Sequence, residues 1–456
     1  MKRGCIPFGV VSLVLVCAAL AGCGGSSSAA NVSPPPPPPD NIVVTVSPSS
    51  FTMGVGSNYQ FSTTVTGTTN TAVNWQVNGI AGGSATVGMI DGTGLYIAPG
   101  SIPAGTISVQ AVAQADGKST GSAAITLALT DPMGKGAGTA ASDTITCPSG
   151  SGITIGGTCY AVVLSCPGIA DLTAYLWVNT PAGTPVGTVM LTAGANSTGL
   201  YADPNVFTHG ADVVNNLLAA GFNTVQTSYG GLFNANQPFG WQTGPGGLRR
   251  VACRYITLAK WVQDNIAQTG APLCATGNSS GSAQIGYALA HYGGTSIFTM
   301  VEPTSGPPFS RVDISCECMG PPTQPDLPDP CGTPGETLTQ CVGLLNGQKY
   351  LDPAYSTPTI CSSDETSHST ANAAQFLSDS ILSPEATLSY PDTYVNFVWG
   401  GQDTSSAPVM GQLWEEAIMP QSSQHFACVA DAPHNLAEVA DGASQIVSDM
   451  IAHCHH

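Results

Sequence analysis

Pro272-Leu273-Cys274-Ala275-Thr276-Gly277-Asn278-Ser279-Ser280-Gly281 is the stretch on which the fold turns. Its apolar run over 272–276 reads as a strand, and residues 283–291 read as a helix. The turn between them is tight enough to lift Ser279 onto its tip with the hydroxyl exposed. Gly277 and Gly281 answer a steric need, since side chains there would collide with the neighbouring strand and helix. With 54 glycines in 456 residues, a G-x-S-x-G match is expected about once by chance, so the surroundings decide. Gly117-Lys118-Ser119-Thr120-Gly121 has the same pattern, but it lies between alternating runs at 107–113 and 123–129 and reads as a hairpin turn. It also lacks the first glycine of a phosphate-binding loop, Val112 standing there, and no helix follows, which argues against nucleotide binding. Gly134-Lys135-Gly136-Ala137-Gly138 reads as part of a linker.

The chain is long enough for two or three units. It opens with Lys2-Arg3 and a short apolar stretch over 10–19, which reads as an export signal too brief to span a bilayer. Leu20-Ala21-Gly22-Cys23 resembles the lipobox of bacterial lipoproteins. That resemblance implies cleavage after residue 22, lipid attachment at Cys23 and contact with a membrane through the lipid alone; more than one acyl chain gives stable anchoring. Gly24 and Gly25 are compatible with sorting to the outer membrane or cell surface. Of the 15 cysteines, Cys5, Cys17 and Cys23 belong to this leader, and the remaining 12 permit six disulfides in an oxidising compartment. Zinc at Cys316, Cys318, Cys331 and Cys341 would need a paired C-x₂-C spacing that is absent. The ending His453-Cys454-His455-His456 could trap a metal, although the reading preferred is a plain terminus with Cys454 in a disulfide. The net charge of −18 becomes more negative once Lys2 and Arg3 are removed. Nucleic-acid binding needs clustered Lys and Arg and is excluded.

Pro34 to Pro39 form a spacer within a tether over 23–41. Regularly spaced strand-like runs over 42–130 indicate a β-sandwich. Within it, Val44-Thr45-Val46-Ser47-Pro48, Gln60-Phe61, Val73-Asn74-Trp75 and Gly92-Thr93-Gly94-Leu95-Tyr96 resemble bacterial Ig-like domains. The resemblance implies a spacer or adhesion role, with Trp75 in the core. A linker is expected over 131–146. From 147 to 456 strands and helices alternate, the pattern of a largely parallel sheet covered on both faces. Strands are expected at 159–164, 174–179, 187–192, 222–227, 272–276, 297–301, 394–399 and 424–429. Helices are expected at 206–220, 247–268 and 436–451. This α/β alternation, with the serine turn after the fifth strand, resembles the α/β-hydrolase fold.

A serine hydroxyl needs a base and a group that orients the base. His434 follows the last strand, where the resemblance implies the catalytic histidine. His425 and His291 are more easily explained structurally. Asp403 follows the strand at 394–399 and is the preferred acid; Glu302 is the second candidate, and Asp431 lies too close to His434 in sequence. The order Ser279, Asp403, His434 is the one the fold implies. Oxyanion donors are expected at the backbone N–H of Ser280 and of Ala195, with Gly194 next to it. The turn Tyr229-Gly230-Gly231 could line the pocket. A Pro- and Cys-rich insertion at about 303–390 is expected to form a disulfide-stapled cap that selects substrate. These readings imply a serine hydrolase acting on carboxylic esters, polymeric ones included, without metal or cofactor. A serine peptidase of the same fold and a non-catalytic surface adhesin are the alternatives.

Overall fold

The computed structural model describes residues 41–147, 156–195, 197–230, 240–317, 326–332, 334–341, 346–355, 357–367, 369–420 and 424–455. The expected export signal, Cys23 and the polyproline run lie outside them. Residues from Ile42 to His456 form one compact unit.

Its first part, to residue 130, is all-β. Ile107–Ala113 shows why: every second side chain is buried, so one face of the strand packs inward. It pairs with Thr120–Ala128 and Val73–Val77 in a five-stranded sheet. A four-stranded sheet and a two-stranded ribbon complete this part. Phe61, Trp75, Tyr96 and Val109 share one core, with Trp75 inside it as expected. Two short strands of this part, Asn58–Gln60 and Ser62–Thr66, follow each other closely yet join different sheets. Phe61 separates them by turning into the core while its N–H bonds to Gly94 O. The Gly117 motif lies in the hairpin between Ile107–Ala113 and Thr120–Ala128, where the Asp116 carboxylate accepts the N–H groups of Lys118 and Ser119.

The second part is built on a ten-stranded mixed sheet. Its eight main strands are β1 (Thr158–Ser165), β2 (Leu172–Asn179), β3 (Gly187–Thr192), β4 (Phe222–Ser228), β5 (Leu273–Asn278), β6 (Met300–Thr304), β7 (Tyr394–Gly400) and β8 (Gln424–Val429). Their spatial order is β1-β2-β4-β3-β5-β6-β7-β8. The β1, β2 and β4 neighbours pair antiparallel and the rest are parallel. Lys135–Gly136 and Thr144–Ile145, in the stretch expected as a linker, pair with β1. β3, β4 and β5 are buried along their whole length, as strands covered on both faces must be.

The covering helices are α1 (Gly210–Ala219), α2 (Gly247–Val251), α3 (Cys253–Asn265), α4 (Ser280–Tyr292), α5 (Ala407–Ala417) and α6 (Ala440–His453). The helix expected over 247–268 is thus two, and the last begins at Ala440 after a single 3₁₀ turn. The strand expected at 297–301 starts at Met300, because Gly294–Ser296 form a 3₁₀ turn first. All of α4 is buried, held between the sheet and the insertion. The result is an α/β-hydrolase-like fold with a mixed sheet.

Five disulfides join described cysteines: Cys147–Cys159, Cys166–Cys253, Cys274–Cys454, Cys316–Cys361 and Cys331–Cys428. Cys341 is disulfide-bonded as well. Zinc at Cys316, Cys331 and Cys341 is therefore ruled out, since thiolates oxidised to disulfides cannot serve as ligands; Cys318 lies outside the described residues. Cys454 is likewise unavailable to a metal. Among the described residues no helix is long and apolar enough to cross a membrane, and no cluster is suited to a metal ion.

Candidate active site

Ser279 stands between β5 and α4 with φ 54° and ψ −117°, a conformation a non-glycine residue adopts only under local constraint. Three features impose it. Ser279 N–H bonds to Thr304 O on β6 at 2.8 Å. A Cβ at Gly277 would lie 2.6 Å from the Gly281 backbone. A Cβ at Gly281 would lie 2.7 Å from Thr192 O and 2.9 Å from Ala193 O. The two glycines thus let the turn close against itself and against the end of β3.

His434 follows β8. Its Nδ1 lies 2.8 Å from Asp403 Oδ2 and 3.2 Å from Ser405 Oγ. Asp403 is fully buried at its side chain and also accepts Ser405 N–H at 2.9 Å. Burial works to raise its pKa, but the hydrogen bonds and charge of His434 and the Ser405 contacts outweigh that and hold the carboxyl below its usual range. Gly400 and Gly401 make the approach of the two loops possible: a Cβ at Gly400 would meet Ala432 O at 2.3 Å, and one at Gly401 would meet Ala430 O at 2.8 Å. With Nδ1 engaged, Nε2 is the ring nitrogen left to act as base.

Ser279, Ser280, Gly194, Ala195 and His434 all line one cavity of about 440 Å³, together with Phe207, Phe309, Asn346 and Tyr350. Among the described residues neither Ser279 Oγ nor His434 Nε2 has a hydrogen-bond partner. Catalytic hydrogen bonds are often long or poorly aligned before substrate arrives and tighten only with it. Ala195 has φ 50°, and its carbonyl accepts bonds from Ser280 Oγ and from Gln242 Nε2 at 3.4 Å. The Ser280 side chain therefore ties its own residue to Ala195, the other residue whose N–H is expected to donate to an oxyanion. Ser280 is also the first residue of α4, where helix N–H groups are free and the dipole favours negative charge.

Glu302, the second candidate acid, is fully buried on β6. It receives Thr276 Oγ1 at 3.3 Å and Asn396 Nδ2 at 3.2 Å. Burial first, then the neighbouring Asp449, pushes its pKa well up. None of these partners lines the cavity. Asp431 is exposed. His425 stacks on Tyr394, and His291 is buried against Ser380 O, with burial pushing its pKa down to about 3. Tyr229 is buried and is not among the cavity's residues, while Gly231 lies outside the described ones.

Three contributors were not anticipated. Ser405 bonds to both Asp403 and His434, and the Ser280 side chain holds the Ala195 carbonyl. Asn278 Oδ1 accepts Leu436 N–H at 3.2 Å, so the residue before Ser279 anchors the loop that carries His434. Nothing local in the sequence marks these roles, because each depends on a neighbour brought from another strand.

No family model and no curated protein matches the chain. Solved structures similar to it are α/β hydrolases. A dienelactone hydrolase from Anabaena variabilis is 14% identical at TM-score 0.35, covering 65% of this chain and 96% of its own. A thermostable carboxyl esterase from Bacillus coagulans is 13% identical at 0.39, covering 64% and 97%. A puromycin-hydrolyzing peptidase of Mycobacterium tuberculosis is 14% identical at 0.41, covering 76% of this chain but only 43% of the peptidase. These are distant likenesses, and the functional reading rests on the site's own geometry.

Proposed function

We propose that the chain is an exported serine hydrolase that cleaves carboxylic esters through an acyl-enzyme. Ser279 is the nucleophile, His434 the base through Nε2, and Asp403 the carboxylate that orients and charges-stabilises the imidazole. The backbone N–H groups of Ser280 and Ala195 receive the oxyanion. The observation that supports this reading is the 2.8 Å contact between His434 Nδ1 and Asp403 Oδ2, with His434 on the wall of the cavity that also holds the strained Ser279. In the first step Ser279 Oγ attacks the ester carbonyl while His434 takes its proton. The imidazolium then protonates the departing alcohol, and water repeats the sequence to release the acid. The wall is apolar on the Phe207 and Phe309 sides, which suits an acyl or alkyl chain. Attachment to the membrane through Cys23 and an Ig-like identity for residues 42–130 belong to the same proposal.

The test is labelling by a fluorophosphonate and turnover of p-nitrophenyl esters and of peptides. Wild type should be labelled and should cleave esters, and Ser279→Ala should do neither. A wild type that is not labelled would leave a non-catalytic surface protein as the better reading, and turnover of peptides in preference to esters would make it a peptidase.

A further inference from the structure

The all-β part is joined to the catalytic part by buried polar contacts. Arg249, on α2, donates to Asp131 Oδ2 at 2.5 Å, to Val55 O at 2.9 Å and to Ser378 O at 3.3 Å. Arg250 donates to Asn58 O and lies over the rings of Phe51 and Tyr59, 4.9 and 4.8 Å from their centroids. Asn58 is 2% exposed and spends both protons of its amide on the insertion, at 2.7 Å to Ser378 Oγ and 2.9 Å to Asp379 Oδ1.

From those two residues the cavity is a short step away. Asp379 O accepts the Tyr287 hydroxyl at 2.7 Å. Two residues on, Ile381 N–H bonds to Phe309 O at 3.3 Å, and Leu382 N–H bonds to Ser310 O at 3.0 Å. Phe309 is a wall of the cavity that holds Ser279 and His434. The segment 378–382 is therefore gripped on one side by the all-β part and carries, on the other, an apolar wall of the candidate active site. A spacer domain has no need of such contacts, whose polar groups must all be desolvated.

We propose that Asn58 is a positioning residue for the substrate cavity: by holding Ser378 and Asp379 it fixes the strap at 378–382, and through it the place of Phe309. The inference rests on the hydrolase reading of the site. Loss of the Asn58 amide leaves a buried carboxylate oxygen and a buried hydroxyl each short of a donor. The strap relaxes toward other partners, and Phe309 shifts with it. Catalytic groups on β5, β7 and β8 are not on this path, so the effect falls on how the cavity fits the chain of the ester.

The experiment compares full-length wild type, Asn58→Ala and Asn58→Ser on p-nitrophenyl esters from acetyl to decanoyl, with fluorophosphonate labelling and urea midpoints measured alongside. The expected result is a change of about tenfold in the ratio of kcat/KM for long over short esters, carried by KM, similar to the discrimination one methylene provides in an apolar pocket. Asn58→Ser, which keeps one donor, should fall between, and it decides the matter if Asn58→Ala does not fold. An unchanged ratio in a folded variant with a lowered urea midpoint would assign Asn58 a structural role only and overturn the proposal. Failure of wild type to be labelled or to cleave any ester would instead remove the hydrolase reading beneath it.

Discussion

Asp379→Asn should remove a loss of stability that wild type suffers as pH rises. Asp379 is 1% exposed, and burial raises its pKa from an ordinary 3.8 to about 7, against the lowering pull of Asn58, Tyr355, Arg249 and Arg250. An acid whose folded pKa lies above its unfolded one contributes most when protonated. Its stabilisation is complete below about pH 4 and is lost as pH rises through about 7. The gap between 3.8 and about 7, at 1.36 kcal/mol per unit, sets a ceiling of about 4 kcal/mol on that loss, and relaxation of the strap would reduce it. Asparagine cannot ionise and keeps an oxygen for the Asn58 amide. Urea midpoints of wild type and Asp379→Asn, taken every half unit from pH 4 to 8, isolate this group from Glu302 and Glu317, whose pKa values burial also raises. The variant should gain on wild type steadily as pH rises, by ~2–4 kcal/mol over the window. Parallel profiles would show that Asp379 ionises as freely in the folded chain as in the unfolded one, and the account of the buried seat would fail.

Asp403→Asn should lower kcat by about 10³–10⁴, or ~4–5.5 kcal/mol, because the amide cannot hold Nδ1–H toward itself as the carboxylate does; steady-state kinetics and the rate of fluorophosphonate labelling should fall together. Glu302→Gln mimics the protonated acid already favoured there and should cost less than about tenfold in kcat/KM, where loss of a true triad acid would cost far more. Gly281→Ala places a methyl against Thr192 O and Ala193 O, neither of which can yield alone; denaturation should show a loss of about 1–3 kcal/mol, and assays a fall in kcat/KM as the Ala195 loop is displaced.

What the sequence made legible was whatever is written locally. Strand and helix periods placed the eight main strands to within a few residues of where they form. The serine turn was readable because its glycines, its strand and its helix are adjacent in the chain. Asp403 and His434 were readable only as positions after strands, and their pairing is a product of β7 and β8 lying side by side. The linker assignment at 131–146 failed on the same principle. Gly134 and Gly138 look like punctuation, but Lys135–Gly136 adds to the sheet edge because β1 offers unpaired backbone groups there. Equally invisible were the Ser405, Asn278 and Asn58 contacts, which join residues 29, 158 and more than 300 positions apart.

One clue to the buried seat was present in the composition. A chain with 54 glycines and 35 prolines carries much irregular backbone, and it has only 10 Lys and Arg. Carbonyls outside ladders must find donors when they are buried. An arginine offers five N–H groups in a fixed fork, where a lysine offers a single charged point. Arg249 serves Val55 O and Ser378 O as well as Asp131, and Arg254 serves Trp241 O, Thr243 O and Ala170 O. Arg250 bonds to Asn58 O. Three of the chain's few cations thus lie within six residues and act as hydrogen-bond hubs for loops that could not otherwise be buried. Trp241, held by Arg254, in turn points its Nε1 at Ser280 Oγ, 3.5 Å away. The arginines of this stretch therefore belong at once to the joint between the two parts of the chain and to the frame behind Ser280, which is why an Arg-Arg-x-x-x-Arg pattern among apolar helix residues, in a cation-poor chain, reads as architecture and not as a solvated face.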